Sequence, residues 1–433
     1  MEDIPQRFPV TLLDCLVDFL TPLGDGAIRL EMEFDEGLDA ARLEKAVGLT
    51  LDAEPVLGCR FVDNTRKPYF ERLDTDKRSA FLLVSSASEY GAFRSTSIDH
   101  RTGPQINICL WHSSDGDRLL LKVAHQVADA AGVKDITSIV SRIYRHLAED
   151  PAYRPSPNVK ELRSFRQVLR HIPWHAYPRI LLNFARGLIL EYRPHRVHTL
   201  SVTDGPRGPL TYVTRLIPSS RVSALVEYGR SNDATLNDVF LAASLRGLTN
   251  TANWDRRSYL SLTTTIDMRR YIPSGRAEAV ANLSTALLHW PDLGSEPGQD
   301  FKTTLDKVAR ITRYGKTHWI GPHMLLYPSM PLFKIMPHTW GMRLYGGIVR
   351  LGLRQHTTDH GFTNTGPIDP ESVGFGVRPS MAHILPPQYY PPTPFVWSLS
   401  GYNGTLTLAA GAYPTQRETI ERFLDAVLKE LPV

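Results

Sequence analysis

The stretch LLLKVAHQVADAAGVKD, residues 119–135, leads from an apolar run into a lone histidine, His125, with Asp129 four residues later. An apolar run of this length, broken only by Lys122, is typical of a mostly buried β-strand. Beyond it, apolar residues recur at helical spacing from Ile136 to Leu147, which predicts a helix. His125 is therefore expected at the end of a strand, either as a catalytic residue or as a polar side chain satisfied by the backbone.

Strand and helix patterns alternate along the rest of the chain. Upstream, residues 28–34 alternate apolar and polar side chains as in a strand, and residues 40–51 have helical spacing. Downstream, a capping box formed by Thr235 and Asp238 predicts a helix start, and residues 258–270 follow as a strand. The last helix is predicted from a second capping box, Thr415 and Glu418, and from one apolar face. This succession of strand and helix patterns predicts an α/β protein.

Composition excludes several classes of protein. The 433 residues carry 49 Lys and Arg against 45 Asp and Glu, a net charge of +4 that is too small to indicate nucleic-acid binding. The three cysteines are scattered without a CxxC pair, so neither a disulfide framework nor a zinc site is expected. The N-terminus resembles no signal peptide, and no apolar run reaches the ~20 residues of a membrane span. We expect a cytoplasmic protein without a bound metal.

Five further segments complete a resemblance that begins with HQVADAAG, residues 125–132. This motif resembles the HxxxD motif of the condensation-domain and chloramphenicol-acetyltransferase-like acyltransferases. The other segments follow in the order of that superfamily: LDAARLEKAVGLTLDAEPVLGCRF (38–61), TTTIDMRRYI (263–272), VANLSTALLHW (280–290), GFTNTGPIDPESVGFG (361–376) and FVWSLSGYNGTLTLAAGAY (395–413). Within that superfamily, the segments most resemble those of stand-alone alcohol acyltransferases and wax-ester-synthase-like relatives. The similarity spans nearly the whole chain.

The resemblance implies an architecture. Two chloramphenicol-acetyltransferase-like lobes, each a mixed β-sheet with helices on one side, would form a pseudo-dimer around a central channel. The N-terminal lobe, with the HxxxD motif, is predicted for residues 1–175. The C-terminal lobe, with the IDMRR, NLST and TNTGPI segments, is predicted for residues 176–433.

The resemblance also implies roles for individual residues. His125 would act as the general base, which suits an imidazole that can accept a proton near neutral pH. Asp129 would turn away from His125 and pair with Arg269, with Arg270 as the neighbouring alternative. Read without the resemblance, Asp129 would be a carboxylate at a helix start.

Four residues are candidates for the donor or acceptor channel. Gly132 would let the backbone approach a pantetheine arm, or would be a plain turn glycine. Thr363, Asn364 and Gly366 would lie opposite His125, where amide or backbone donors can stabilise an oxyanion. Asn282 is expected to be structural.

The expected reaction moves an acyl group from acyl-CoA or from the phosphopantetheine of an acyl-carrier protein to a hydroxyl acceptor. No cofactor is expected to be bound, since the thioester is a co-substrate. No segment resembles a carrier domain, which favours CoA. Two departures, Ala124 where many relatives have a second histidine and Ala130 after the aspartate, weaken amide formation more than ester formation. A condensation enzyme and a catalytically silent scaffold remain the alternatives.

Two segments rich in Arg and aromatic residues, 163–193 and 319–354, suggest a hydrophobic substrate or a peripheral contact with an anionic membrane. The alternative is ordinary core packing with solvated arginines. The apolar side chains behind this expectation are Leu181, Leu182, Phe184, Leu188, Leu325, Leu326 and Met336.

Overall fold

The chain contains both strands and helices, but they do not alternate regularly as predicted, because several helices and several strands follow one another in the sequence. The computed structural model describes residues 4–63, 67–191, 196–200, 208–251, 254–255, 257–326, 336–389 and 395–432. Within these residues the strands are β1 (Arg7–Pro9), β2 (Gly24–Asp25), β3 (Ala27–Phe34), β4 (Cys59–Val62), β5 (Tyr69–Arg72), β6 (Phe81–Val84), β7 (Ile106–Ser113), β8 (Gly116–Ala124), β9 (Thr211–Ile217), β10 (Thr263–Asp267), β11 (Ser284–Leu287), β12 (Gly361–Ile368), β13 (Met381–Leu385), β14 (Gln388–Tyr389), β15 (Val396–Tyr402) and β16 (Thr405–Ala412). The α-helices are α1 (Leu12–Asp18), α2 (Ala40–Ala53), α3 (Ala87–Ser95), α4 (Ala130–Glu149), α5 (Arg166–Leu169), α6 (Tyr177–Glu191), α7 (Ser219–Ser231), α8 (Leu236–Thr251), α9 (Phe301–Thr317), α10 (His338–Arg354) and α11 (Arg417–Glu430).

The first large sheet has the strand order β13-β3-β8-β7-β6 and is mixed, because β6 runs parallel to β7 while the other neighbours are antiparallel. Leu119, Leu121 and Val123 of β8 belong to the core shared with α2 and α4. Leu120 packs on the opposite face with Tyr90 of α3. Both faces of β8 are therefore covered, which explains why Leu119, Leu120 and Leu121 are consecutive apolar residues instead of alternating with polar ones.

The second large sheet has the strand order β11-β10-β12-β15-β16-β9 and is also mixed, with β12 parallel to both β10 and β15. Its core is shared with α8, α9 and α11. Smaller sheets join β1, β5 and β4, and β14 with β2.

The two large sheets are joined at β13. This strand comes from the C-terminal part of the chain, yet it pairs with β3 of the first sheet. It also contacts the second sheet, since Ser398 Oγ of β15 donates to the Ile384 carbonyl at 2.9 Å. The division at residue 175 stays a prediction, but a strand of the second range completes the sheet of the first.

The predicted capping boxes have different outcomes. Thr235 and Asp238 form theirs: the Asp238 N–H donates to Thr235 Oγ1 at 3.4 Å, and the Thr235 N–H donates to Asp238 Oδ2 at 2.8 Å. The box predicted for Thr415 and Glu418 is wrong. Helix α11 begins one residue later than that box requires, at Arg417, and the buried Thr415 hydroxyl has no hydrogen-bond partner among the described residues. The apolar face of α11 is as predicted.

No helix in the described ranges is long and apolar enough to cross a lipid bilayer.

Candidate active site

His125 lies in the turn between β8 and α4. Ala124 is the last residue of β8, and the Val127 N–H donates to its carbonyl at 3.0 Å, which closes the turn. Asp129 is the N-cap residue of α4. The apolar strand and the capped helix thus fix both ends of a short segment that presents the histidine.

The shorter of the two polar contacts of His125 Nδ1, which is to Ala128 and not to Asn282 Nδ2 at 3.5 Å, assigns the tautomer of the ring. Nδ1 lies 2.9 Å from the Ala128 carbonyl oxygen, which can only accept, so Nδ1 carries the hydrogen in the neutral ring. The lone pair is then on Nε2. Asn282 holds the same turn, since its amide Nδ2 donates to the His125 carbonyl at 3.2 Å. The ring is oriented to accept a proton at Nε2.

The protonation of His125 depends on its surroundings. Burial lowers the pKa of the imidazole below its usual value, although the Ala128 carbonyl and the Asp129 carboxylate act in the opposite direction. The residue is nevertheless only half-buried. At neutral pH His125 is therefore mainly uncharged, as a general base requires.

Asp129 points away from His125, and both of its carboxylate oxygens accept hydrogen bonds. Its Oδ2 accepts from Arg269 Nη1 at 2.8 Å, from the Leu283 N–H at 2.8 Å and from Ser284 Oγ at 2.9 Å. Its Oδ1 accepts from the Gly132 N–H at 2.9 Å. Burial alone would raise the pKa of Asp129, but the Arg269 guanidinium and these N–H groups hold it below the usual range. The carboxylate joins α4 to residues of β11 and the segment before it.

Arg269 follows β10 and is buried, whereas the alternative, Arg270, is exposed. Arg269 Nη1 donates not only to Asp129 but also to Asp267 Oδ1, at 3.1 Å. Arg269 Nη2 donates to the Ala281 carbonyl at 3.0 Å. Burial opposes the charge, but Asp129 and Asp267 raise the pKa of the guanidinium. The ion pair therefore spans the two halves of the chain next to the His125 turn.

Gly132 lies where α4 approaches the segment before β11. A Cβ at this position would stand 2.9 Å from the Ala128 side chain and 3.1 Å from the Ala281 carbonyl oxygen. Protein atoms thus fill the space beside Gly132. This close approach explains the glycine without a ligand.

Thr363, Asn364 and Gly366 lie together on β12. Thr363 Oγ1 is 2.8 Å from Thr265 Oγ1, Asn364 Nδ2 donates to Asn237 Oδ1 at 3.0 Å, and the Gly366 N–H donates to Asn364 Oδ1 at 3.0 Å. Gly366 has a φ of 72° at an irregularity in the pairing with β15. No direct hydrogen bond joins these three residues to His125 within the described part of the chain.

Lys134 connects β12 with the helix that follows His125. Its Nζ donates to the Thr365 carbonyl at 2.7 Å and to the Pro367 carbonyl at 3.1 Å. Strand β12 is therefore held beside α4, although its candidate side chains are already hydrogen-bonded.

Sequence reasoning missed two charged residues around the turn. Arg163 Nη2 donates to the Val127 carbonyl at 3.2 Å and its Nη1 pairs with the buried Asp14 at 3.2 Å. The sequence feature that could have indicated them is a pair of carboxylates, Asp14 and Asp18, which lie four residues apart in a stretch, 12–20, whose other residues are apolar. Buried carboxylates on one helical face require partners.

Asp18 is the centre of a second network. It accepts from His100 Nε2 at 2.9 Å, from His338 Nε2 at 2.7 Å and from Arg101 Nη2 at 2.9 Å. Gln126, the neighbour of His125, lies 3.3 Å from the same His100 nitrogen. Burial opposes ionisation of Asp18, but these partners hold its pKa far below the usual range. The His125 turn is thus held by Arg163 at Val127 and contacts the Asp18 network through Gln126.

The chain was compared with known proteins by sequence and by structure. No family model matches it, and no curated protein does. The first condensation domain of the calcium-dependent antibiotic synthetase, in complex with a substrate analogue, has 18% identity and a TM-score of 0.71, covering 98% of this chain and 96% of that one. The trichothecene 15-O-acetyltransferase TRI3 of Fusarium sporotrichioides has 12% identity and a TM-score of 0.69, covering 98% and 94%.

The nonribosomal peptide synthetase FmoA3 has 16% identity and a TM-score of 0.65, and the chain spans only 44% of its length. At these identities the likeness establishes the fold alone. The chain has the fold of condensation domains and of this acetyltransferase, as the sequence resemblance predicted.

Proposed function

We propose that the protein transfers an acyl group from a thioester to a hydroxyl acceptor, with His125 as the general base. One observation carries this proposal: Nδ1 of His125 is committed to the Ala128 carbonyl, which leaves Nε2 free to accept a proton. A fold that also occurs in condensation domains and in an O-acetyltransferase agrees with it.

The proposed reaction needs no covalent intermediate on the enzyme. The acceptor oxygen attacks the thioester carbonyl carbon while Nε2 takes the hydroxyl proton. The resulting tetrahedral oxyanion collapses, the carbon–sulfur bond breaks, and the imidazolium returns the proton to the departing thiolate. The products are an ester and a free thiol. Because a thioester is already activated, positioning the acceptor supplies much of the acceleration.

Asp129 and Arg269 are proposed as positioning residues. They touch the ends of the segment that holds His125 rather than its ring. The donor, acyl-CoA or a carrier-bound phosphopantetheine thioester, would reach His125 through a channel between the lobes. We propose that β12, with Thr363, Asn364 and Gly366, lines that channel, since Lys134 holds the strand beside α4. Gly132 contributes packing.

The purified full chain should be incubated with a panel of acyl-CoAs and acyl-carrier proteins, each with candidate alcohols and amines, while free thiol and product are followed. Ester formation that is lost in His125→Ala supports the proposal. Amide formation with amines alone would instead identify a condensation enzyme. Silence with every donor would favour a scaffold of the same fold.

A further inference from the structure

Helix α10 presents a row of large apolar side chains to solvent. The exposed fractions of Trp340, Leu344, Ile348 and Leu351 are 67%, 44%, 54% and 55%. Their spacing of four, four and three residues places them on one side of the helix. We call these four residues the α10 face. A contiguous apolar row of this kind on a protein surface marks an interaction site.

The opposite side of α10 is packed on the N-terminal part of the chain, so the orientation of the helix is fixed. His338 Nε2 lies 2.7 Å from Asp18 Oδ2, and the Tyr345 ring lies 5.9 Å from the Phe19 ring. At Gly341 a Cβ would stand 2.7 Å from the Phe19 ring, so the helix sits close against it. The α10 face is therefore the side that this packing leaves outside.

Positive charge accompanies the apolar row. Arg343, Arg350 and Arg354 are exposed, and none forms an ion pair within the described ranges. Residues 336–355 contain no Asp or Glu, although the whole chain has almost balanced charges. The α10 face is thus flanked by cationic side chains that no described carboxylate neutralises.

The segment containing α6 repeats this character. Trp174, Tyr177, Leu181 and Leu182 are all exposed, and Arg179 beside them forms no ion pair with any described residue. Residues 162–190 contain no Asp or Glu. Among the other apolar side chains that the sequence analysis singled out in segments 163–193 and 319–354, Phe184 and Met336 are half-buried. The side chains of Leu188, Leu325 and Leu326 lie outside the described residues.

We infer that the α10 face binds the surface of an anionic lipid membrane. A convex helix side with protruding Trp, Leu and Ile suits the boundary between headgroups and acyl chains, where tryptophan is favoured. The flanking arginines would meet lipid phosphates, each contributing attraction to an anionic surface. The inference rests on α10 itself and is independent of the proposed acyl transfer.

Co-sedimentation of the full chain with vesicles tests this inference. We expect binding to vesicles of phosphatidylcholine mixed with phosphatidylserine, and weaker binding at high salt or to phosphatidylcholine alone. The combined variant Trp340→Ser, Leu344→Ser, Ile348→Ser and Leu351→Ser should bind roughly 10- to 100-fold more weakly. Replacing Arg343, Arg350 and Arg354 by Gln should remove the preference for anionic vesicles.

The matched control is Leu216→Ser with Leu288→Ser, two exposed leucines that lie outside α10, which should leave vesicle binding unchanged. Thermal melting checks that every variant is folded. The inference is overturned if the wild-type chain binds neither vesicle or if the α10 variant binds as well as wild type. It is equally overturned if sedimentation velocity shows a dimer that only the α10 variant converts to monomer, or if an acidic carrier protein binds this face and vesicles do not.

Discussion

At the scale of the residue, the chemistry rests on His125. Replacing it with alanine should leave a folded protein, since the ring is half-buried and its hydrogen bond to the Ala128 carbonyl is a local one. Transfer should fall by ~10²–10⁴, the usual contribution of a general base. Steady-state rates and a circular dichroism spectrum together measure both effects. Full activity in the variant would rule out His125 as the base.

The pH dependence of the rate is a second expectation for the same residue. Only the neutral imidazole accepts a proton, and burial lowers the pKa of His125 below its usual value. The ratio kcat/KM should therefore decrease as the pH falls, with a midpoint below about 6.5. A plateau that persists well below the measured pKa of His125, from NMR titration of the ring, would contradict this mechanism.

Asp129 should affect folding as well as rate. Asp129→Ala removes the partner of the buried Arg269 and leaves the N–H groups of Gly132 and Leu283 without their acceptor. Breaking one side of a buried ion pair costs ~3–5 kcal/mol in the free energy of unfolding. Denaturant titration measures this loss. Arg270→Ala is the matched control, because Arg270 is exposed and should change stability little. A reduced rate with unchanged melting would show instead that Asp129 orients His125 directly.

At the scale of the element, Glu54 links the end of α2 to the segment before β11. Its carboxylate accepts from Asn158 Nδ2 at 2.8 Å and from the Val280 N–H at 3.4 Å. Burial raises the pKa of Glu54 to about 7 in spite of these hydrogen bonds. The folded protein therefore keeps a proton that the unfolded chain releases near pH 4.3.

The consequence is a stability that depends on pH. The folded state binds more protons than the unfolded state between about pH 4.3 and 7, so the contribution of Glu54 to stability falls as the pH rises through that window. Glu54→Gln keeps the shape and removes the titration. The variant should gain up to ~3 kcal/mol relative to wild type between pH 5 and 8. Melting curves of both proteins at each pH measure the difference, and Glu44→Gln on the exposed side of α2 is the control. A constant difference across the window would show that Glu54 is already ionised at pH 5.

Local patterns located the few elements that they were used to predict, although β10 is shorter than the strand predicted for residues 258–270. The apolar run of β8 and the helical spacing of α4 sufficed because β8 is buried on both faces and α4 buries one continuous face. The cap at Thr415 failed because spacing alone cannot tell where the backbone turns, and α11 begins at Arg417. The partner of Asp129 came from resemblance rather than from periodicity. Asp14 and Arg163 were missed, since no local pattern relates two residues so far apart in the sequence.

At the scale of the whole molecule, the two predicted lobes should not fold separately. A fragment of residues 1–175 lacks β13, which leaves the β3 edge unpaired, and it lacks Arg269, the partner of Asp129. An unpaired strand edge of this length favours aggregation. We expect this fragment to aggregate when expressed alone and to become soluble when residues 176–433 are co-expressed. Size-exclusion chromatography and thermal melting measure the outcome. A monomeric fragment with cooperative unfolding would contradict it.

The origin of β13 also has a consequence for biosynthesis. Strands β3 and β8 leave the ribosome early, but β13, the other neighbour of β3, is made roughly 250 residues after β8, which takes some tens of seconds at ~5–20 residues per second. During that interval the nascent chain carries an open sheet edge. We therefore expect the nascent chain to need chaperones most during this interval, and codon changes that slow synthesis between β8 and β13 to lower the yield without changing a single amino acid.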